Sequence, residues 1–240
     1  MRVLIIFVVA IFSIHTYSQS IAESNYKLGM SKLNSGYAIE AITFFNNSLK
    51  QQPDYSNAFI GRAKAKLMLG ESADALNDIN KAWSINKLNH EIYYTRALIY
   101  HAMNETEKAM ADLEEALRLK PGYNEAMADK IIIQYSMNKD KKLMAALNEE
   151  IKNKPKPYLY YARGIIFNIE KKHSKALADL RKLLSLDSTF NAFDVRWNIS
   201  YALLQTGRNS EALSEINQAI RIKPGMAKGY FLRGQIYYDA

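Results

Sequence analysis

Apolar residues recur along this chain at a short spacing typical of a helix and at a long spacing of roughly 34 residues. The long spacing is marked by alanine, with one leucine in the series: Ala41, Ala75, Ala109, Leu143, Ala176 and Ala212. A large apolar residue follows each of these by four positions: Phe45, Ile79, Leu113, Leu147, Leu180 and Ile216. Three residues further on, alanine returns at Ala82, Ala116 and Ala219. Steps of four and three residues predict one apolar stripe on a helix in each repeat.

Small and turn-forming residues predict a second helix in front of each of these helices. Small residues fall near its middle, where two helices can cross closely: Gly29, Ala63, Ala97, Gly164, Ser200 and Gly234. Residues that tolerate a left-handed conformation separate the two helices: Gly36, Gly70, Asn104, Asn138 and Gly207. Prolines mark the boundaries of the repeats at Pro53, Pro121, Pro155 and Pro224. Strand-like alternation is not sustained anywhere in the sequence, so we expect an all-α fold of stacked antiparallel helix hairpins.

This order of small residue, turn, alanine, large apolar residue, alanine and proline resembles the tetratricopeptide repeat over essentially all of residues 19–240. Two segments are similar to the first helix of that family almost residue for residue: YYARG at 160–164 and YFLRG at 230–234. The resemblance implies a right-handed α-solenoid, the superhelix of this family. Its units are expected at 22–55, 56–89, 90–123, 124–156, 157–190 and 193–226, with a further first helix at 227–240.

The fourth and fifth units depart from the family pattern. Ile131, Leu143 and Glu150 stand where small residues are usual, and Lys171 stands at a turn. The segment 139–157 also concentrates lysine. If the stack bends or divides, we expect it to do so there; simple drift from the consensus is the alternative.

Residues 1–18 have the features of a cleaved secretory signal. Arg2 precedes an apolar run from Val3 to Ile14, and the small residues Thr16 and Ser18 lie just before a cleavage junction at Gln19. The run is well short of the roughly 20 residues that span a bilayer, and an uncleaved anchor is the alternative. No later stretch is apolar and long enough to cross a membrane. We therefore predict export to the bacterial periplasm, the envelope or the outside of the cell.

Residues that could carry chemistry are sparse. The absence of cysteine excludes disulfides, thiolate metal sites and a cysteine nucleophile. The histidines are not grouped at metal-ligand spacing: His15, His90, His101 and His173. The sequence also lacks a glycine-rich phosphate loop, a nucleophile elbow and a zinc-binding H-E-x-x-H helix. We therefore predict a protein without catalytic residues, metal or cofactor.

The tetratricopeptide resemblance implies a ligand groove lined by the first helices. The fifth and ninth positions of these helices are largely apolar, and several of them are aromatic. The predicted partner-binding residues are Tyr26, Tyr94, Tyr161, Trp197, Tyr201 and Phe231. Tyr and Trp are enriched in binding hot spots, but rings at these positions could equally serve only to pack neighbouring helices. The Lys and Asn pair with which some family members clamp an acidic C-terminus does not occur at these positions, so that clamp is not expected.

Capture of other proteins or peptide segments by a non-catalytic scaffold is therefore the expected function. The alternative is an adaptor region of a larger exported enzyme or envelope machine. The net charge of +8 could suit nucleic acid, but the signal segment and the regularly spaced alanines and prolines argue against a nucleic-acid partner.

Tyr230, Phe231 and Tyr237 predict an exposed apolar face at the C-terminal end. We expect self-association there, with the end either truncated or covered by another chain.

Overall fold

The computed structural model describes residues 2–239, with side chains from Ser18 onward, and this part of the chain forms thirteen α-helices and no β-strand. The first helices of the successive hairpins are α1 (Arg2–Asn34), α3 (Ser56–Met68), α5 (His90–Ala102), α7 (Asn124–Asn138), α9 (Pro157–Ile169), α11 (Ala192–Leu204) and α13 (Ala227–Tyr238). The second helices are α2 (Ala38–Gln51), α4 (Ser72–Ile85), α6 (Thr106–Leu119), α8 (Lys141–Asn153), α10 (His173–Leu186) and α12 (Asn209–Ile222). The predicted all-α helical repeat fold is confirmed.

The predicted signal segment, residues 1–18, lies almost wholly outside the described side chains, which begin at Ser18. Within the described residues, none of the helices combines the length and the apolar character needed to cross a bilayer.

Local sequence explains where several helices begin. The side chain of Asn89 accepts a hydrogen bond from the backbone N–H of Glu91 at the start of α5, at 2.9 Å. Asp140 caps α8 in the same way, accepting from the N–H of Lys142 at 2.7 Å. Pro157 is the first residue of α9, where its fixed φ angle suits a helix and its missing N–H has no role. Polar caps thus mark the starts of α5 and α8, and proline marks the start of α9.

The chain forms two compact units, Met1–Asp112 and Leu113–Ala240, which are called the N-terminal and the C-terminal unit below. The N-terminal unit has two apolar clusters, one around Phe45 and the other around Ile79 and Ile92. In the C-terminal unit, one continuous cluster runs from Ala128 in α7 to Ile236 in α13. Stacked hairpins therefore bury one another's apolar faces within each unit, as the repeat pattern predicts.

The boundary between the two units falls inside α6 and not in the segment 139–157, where the weak consensus suggested a division. The reason is that larger apolar residues stand where the family pattern expects small ones, and they still pack into the core. Leu147 and Ile151 of α8 are buried in the C-terminal core, and Ile131 and Leu143 pack against it. The segment therefore belongs to the core of one compact unit.

Two of the small residues near the middle of the first helices lie where a neighbouring helix packs very closely. A Cβ atom at Gly29 would lie 2.7 Å from Cε1 of Phe45, and one at Gly164 would lie 2.9 Å from Cδ2 of Leu180. Phe45 and Leu180 are the large apolar residues that recur on the second helices, and both are fully buried. Gly234 differs, because nothing lies within 4 Å of the corresponding position.

The left-handed turn residue was assigned wrongly in one unit. In the described turns of α1–α2, α3–α4, α5–α6 and α11–α12, the predicted glycines and asparagine do have positive φ: Gly36, Gly70, Asn104 and Gly207. In the α7–α8 turn, however, α7 continues through Asn138, and Lys139 takes the left-handed conformation with φ 47°. Asp140 then caps α8 directly, so the turn is shifted by one residue.

A repeated charge network links the helices, and the apolar pattern of the sequence did not predict it. In three hairpins an arginine of the first helix binds, through two nitrogens, an aspartate sixteen residues later on the second helix: Arg62–Asp78, Arg96–Asp112 and Arg163–Asp179, at 2.6 to 2.8 Å. Nη1 of Arg62 also donates to Asn46 at 2.6 Å, and Nη1 of Arg163 donates to Asn148 at 2.8 Å. Each of these two arginines therefore joins its own second helix to the second helix of the preceding hairpin.

Candidate functional site

A cleft between α11 and α13 in the C-terminal unit contains two of the six predicted binding residues. Tyr201 of α11 and Phe231 of α13 line a cavity of about 590 Å³. Phe231 is 69% exposed, so most of its ring is free to contact a ligand. The rest of the lining comes from the two helices and the residues that directly follow them: Leu204, Gln205, Tyr230, Gly234, Gln235, Tyr238 and Asp239. Because Gly234 has no side chain, the cleft stays open at this point.

Trp197 fixes the wall of this α11–α13 cleft. Its ring stacks on Tyr201 with a centroid distance of 5.7 Å and an interplanar angle of 2°. Its Nε1 donates a hydrogen bond to the carbonyl of Lys228 at 3.1 Å, which connects α11 to α13. Nζ of Lys228 lies 5.5 Å from the Trp197 ring centroid and 2.6 Å from Oδ1 of Asp194. Trp197 therefore holds Tyr201 in place and ties together the two helices that form the cleft.

His173 also packs against the ring of Tyr201. It meets Tyr201 edge to face at 5.7 Å, and its Nδ1 lies 3.2 Å from Oδ1 of Asn168. Burial, with a smaller contribution from the charge of Lys171, lowers the pKa of His173 below its usual value. The contact that His173 makes with Tyr201 is a packing contact between two rings.

Tyr161 is placed differently from Tyr201 and Phe231. It is half-buried and meets Phe190 edge to face, with ring centroids 5.6 Å apart. Burial, followed by the charges of Asp194 and Asp129, raises the pKa of Tyr161 well above its usual value. This contact agrees with the alternative that rings at these positions pack neighbouring helices. A binding role for Tyr161 stays a prediction.

The two remaining predicted residues, Tyr26 and Tyr94, belong to the N-terminal unit. Tyr26 is half-buried between Phe45 and Tyr55, with centroid distances of 6.1 and 5.3 Å. Burial, followed by the charge of Glu91, raises its pKa. The depression beside Tyr26 has a volume of only about 10 Å³, and an ion pair between Lys64 and Glu91, at 2.9 Å, lies across it. Tyr94 is half-buried on α5.

Sequence reasoning did not assign several residues to the α11–α13 cleft, above all Tyr238; Tyr230 was expected only on the exposed C-terminal face. Starting at Phe231, the cleft positions Gly234, Gln235 and Tyr238 follow at steps of three, four and seven residues. This is the spacing of a single helix face. Extending the helical period beyond the fifth and ninth positions would therefore have identified Tyr238.

The α11–α13 cleft is suited to binding. Its aromatic rings can bury apolar groups, while Gln205, Gln235 and the tyrosine hydroxyls can form hydrogen bonds that orient a ligand. In the part of the chain with described side chains, no group of three or more His, Asp or Glu residues is arranged to hold a metal ion.

Comparison with known proteins gives a consistent family assignment. Two family models, both described as tetratricopeptide repeat, match residues 22–55 and 90–123 in one case and 172–227 in the other, together more than half of the chain. No curated protein sequence matches significantly.

Solved structures are similar in fold. Yeast Tom70 shares 17% identity with a TM-score of 0.69, over 93% of this chain and 47% of that chain. A thermophilic tetratricopeptide-repeat protein of Thermus thermophilus, TTC0263, shares 21% identity with a TM-score of 0.50, over 91% of this chain and 98% of that chain. The first such domain of human RPAP3 shares 26% identity with a TM-score of 0.47, over 49% of this chain and 92% of that chain. The likenesses to Tom70 and TTC0263 support the helical repeat fold.

Proposed function

Since this chain belongs to the tetratricopeptide-repeat family, we propose that it is a non-catalytic scaffold that binds a segment of another protein along its first helices, with the α11–α13 cleft as the main contact. The observation that carries this proposal is that Tyr201 of α11 and the exposed Phe231 of α13 line the same open cavity of about 590 Å³. Cavities of roughly 300–1,000 Å³ with mainly apolar walls are typical ligand sites.

Binding at this cleft follows from the arrangement of its side chains. An apolar side chain of the partner enters between Phe231 and Tyr201 and removes apolar surface from water, which stabilises the complex by about 25 cal/mol per Å². Because Trp197 and His173 already hold Tyr201, that wall loses little conformational entropy on binding. Gln205 and Gln235 then select the backbone orientation of the segment through hydrogen bonds.

A peptide selection tests this function. A phage-displayed library of random peptides is selected on the full chain, and the affinity of an enriched peptide is measured by fluorescence anisotropy. We expect Phe231→Ala to weaken binding about tenfold or more, as for a hot-spot aromatic residue. Tyr237→Ala is the matched control, because Tyr237 is a similarly exposed aromatic residue of α13 outside the cleft.

The melting temperature of each variant separates binding from stability. Phe231 is mostly exposed, so both variants should melt close to the unchanged protein. If Phe231→Ala binds as tightly as Tyr237→Ala, the cleft is not the contact site.

We also propose that the scaffold acts outside the cytoplasm, in the periplasm or cell envelope of a bacterium. The support is the sequence of residues 1–18, with Arg2, the apolar run and the small residues before Gln19. Mass spectrometry of the protein purified from its host should find Gln19 as the first residue. Retention of Met1 would contradict cleavage.

A further inference from the structure

We propose that the C-terminal unit has a second docking surface, at the α7–α8 and α9–α10 turns, for an acidic protein segment that carries one apolar side chain. This surface is called the lysine edge. Its cationic residues are Lys139, Lys141 and Lys142 from the first turn and Lys171, Lys172 and Lys175 from the second, all of them exposed. The same turns also contain two acidic residues, Asp140 and Glu170. It is formed by other residues than the α11–α13 cleft and does not depend on the function proposed for that cleft.

A cavity of about 320 Å³ lies between these two turns, lined by Tyr135, Ser136, Lys139, Ile169, Glu170 and Lys172. Ile169, the last residue of α9, is 50% exposed at its wall. Tyr135 and Ile169 give the cavity an apolar side, and Lys139 and Lys172 give it a cationic one. It therefore offers space for one apolar side chain next to positive charge.

The single carboxylate in this cavity is already occupied. The hydroxyl of Tyr135 donates to Oε1 of Glu170, and Nζ of Lys172 lies 2.8 Å from Oε2. The bond from Lys172, with a smaller contribution from Tyr135, holds the pKa of Glu170 below its usual value. The ammonium of Lys139 forms no ion pair with any described residue. Positive charge thus remains available to a ligand.

Backbone strain also points to these lysines. Lys139 and Lys171 have φ of 47° and 59°, a left-handed conformation that β-carbon-bearing residues other than Asn and Asp seldom adopt. The corresponding turns of the other hairpins use glycine or asparagine: Gly36, Gly70, Asn104 and Gly207. Strained residues are concentrated at functional sites, where the surrounding structure holds them. Two consecutive hairpins hold a lysine in this conformation.

The first turns of the second helices at the lysine edge contain lysines in place of acidic residues. The N-terminus of a helix favours acidic residues, and the first turns of α2, α4, α6 and α12 each contain one: Glu40, Asp74, Glu107 and Glu211. The first turns of α8 and α10 contain no acidic residue. They contain Lys141, Lys142 and Lys175 instead. At α8 the carboxylate of the N-cap residue Asp140 already offsets part of the repulsion between these lysines and the helix end. At α10 the N-cap residue is Lys172 and its side chain forms no cap hydrogen bond, so an anionic ligand would offset the repulsion mainly there.

These features favour an acidic protein segment over a lipid surface. Six exposed lysines recognise negative charge, whereas the cavity beside Ile169 is a recess between two turns that suits a single protruding side chain. A bilayer surface could neutralise the lysines but would not fill this recess. We therefore expect both the charge and the apolar side chain of the ligand to contribute to affinity.

The test uses the full chain and a glutamate-rich octapeptide with one central leucine, measured by fluorescence anisotropy at low salt. A peptide with serine in place of leucine tests the cavity, and phosphatidylglycerol vesicles test the lipid alternative.

The double variant Lys139→Asn with Lys142→Gln removes two positive charges, and asparagine tolerates the left-handed conformation of the turn. Lys182→Gln is the control for charge, because Lys182 is exposed on α10 away from these turns. Ile169→Ser is matched by Leu186→Ser, since both residues are half-exposed at the end of a helix.

We expect the double lysine variant to weaken peptide binding about tenfold, since two exposed ion pairs are lost, and Ile169→Ser to weaken it by about a similar factor. Both controls and the melting temperatures should stay unchanged, and added salt should weaken binding. The proposal is overturned by an equal loss in the controls, by equal affinity for the serine peptide, or by absence of peptide binding. Vesicle binding without peptide binding would also overturn it and assign the surface to lipid.

Discussion

At the residue scale, Gly164 and Gly234 occupy the same position of the repeat but differ in how closely other side chains pack against them. Gly164 faces Leu180 so closely that a Cβ atom would lie 2.9 Å from its Cδ2, whereas Gly234 has nothing within 4 Å. Both lie inside helices, where glycine costs roughly 0.5–1 kcal/mol relative to alanine. The backbone effect is therefore the same at the two positions, and only the packing effect differs.

The two alanine substitutions are expected to have opposite signs. Gly164→Ala should destabilise the protein by about 1–3 kcal/mol, because Leu180 is fully buried and cannot move aside freely. Gly234→Ala should stabilise it by about 0.5–1 kcal/mol. Urea unfolding followed by circular dichroism measures both changes. If both substitutions shifted stability in the same direction, the close packing assigned to Gly164 would be wrong.

At the element scale, largely buried arginine–aspartate pairs connect the two helices of three hairpins, and one of these pairs can be compared with an exposed pair in the same unit. The side chains of Arg163 and Asp179 are 18% and 8% exposed, and those of Arg181 and Glu211 are 47% and 50% exposed. Removal of one partner of a buried pair leaves an uncompensated charge, which costs about 3–5 kcal/mol. An exposed pair contributes less than about 1 kcal/mol.

We therefore expect Arg163→Met to lower the free energy of unfolding by about 3 kcal/mol, and Arg181→Met to lower it by less than about 1 kcal/mol. Adding Asp179→Asn to Arg163→Met should restore part of the loss, because the unpaired buried charge is then removed. Chemical denaturation of the single and double variants forms a double-mutant cycle. An additive double variant would show that Arg163 and Asp179 do not interact.

The helices were predictable from the sequence because apolar spacing and breakers act locally. The repeated alanines from Ala41 to Ala212 are buried, as the sequence predicts, and so are the large apolar residues four positions after them. Leu143, the one leucine in the alanine series, is half-buried. The arginine network was not predicted, since the partners of Arg163 on α8 and α10 are fixed by the stacking of hairpins. The shift from Asn138 to Lys139 was missed because Asp140 caps α8 and lets α7 extend by one residue.

The candidate site was predictable only in part, for a related reason. The fifth and ninth helix positions identify Tyr201 and Phe231, which line the α11–α13 cleft. These positions do not distinguish Tyr201 and Phe231 from Tyr161, whose ring packs edge to face against Phe190. Whether a ring at such a position packs or stays open depends on the neighbouring helix, which a single repeat does not specify.

At the scale of the whole molecule, α13 presents the most prominent exposed aromatic surface of the described side chains. Phe231, Tyr237 and Tyr238 are 69%, 62% and 92% exposed, and Tyr230 is 43% exposed. Contiguous apolar surface of this kind marks an interaction site or promotes association. One helix face is small compared with the roughly 1,200–2,000 Å² of a stable interface, so any contact between copies through α13 should be weak and reversible.

We therefore expect the full chain to self-associate weakly through α13, with a dissociation constant of about the micromolar range or above. Sedimentation velocity over a range of concentrations should show a rising average mass. Tyr237→Ser with Tyr238→Ser should abolish the rise, because serine removes most of the apolar area at these positions. Leu88→Ser is the control, since Leu88 is 77% exposed in the N-terminal unit and lies outside α13. A constant monomer mass at every concentration, or an equal effect of the Leu88 variant, would show that α13 does not join two copies.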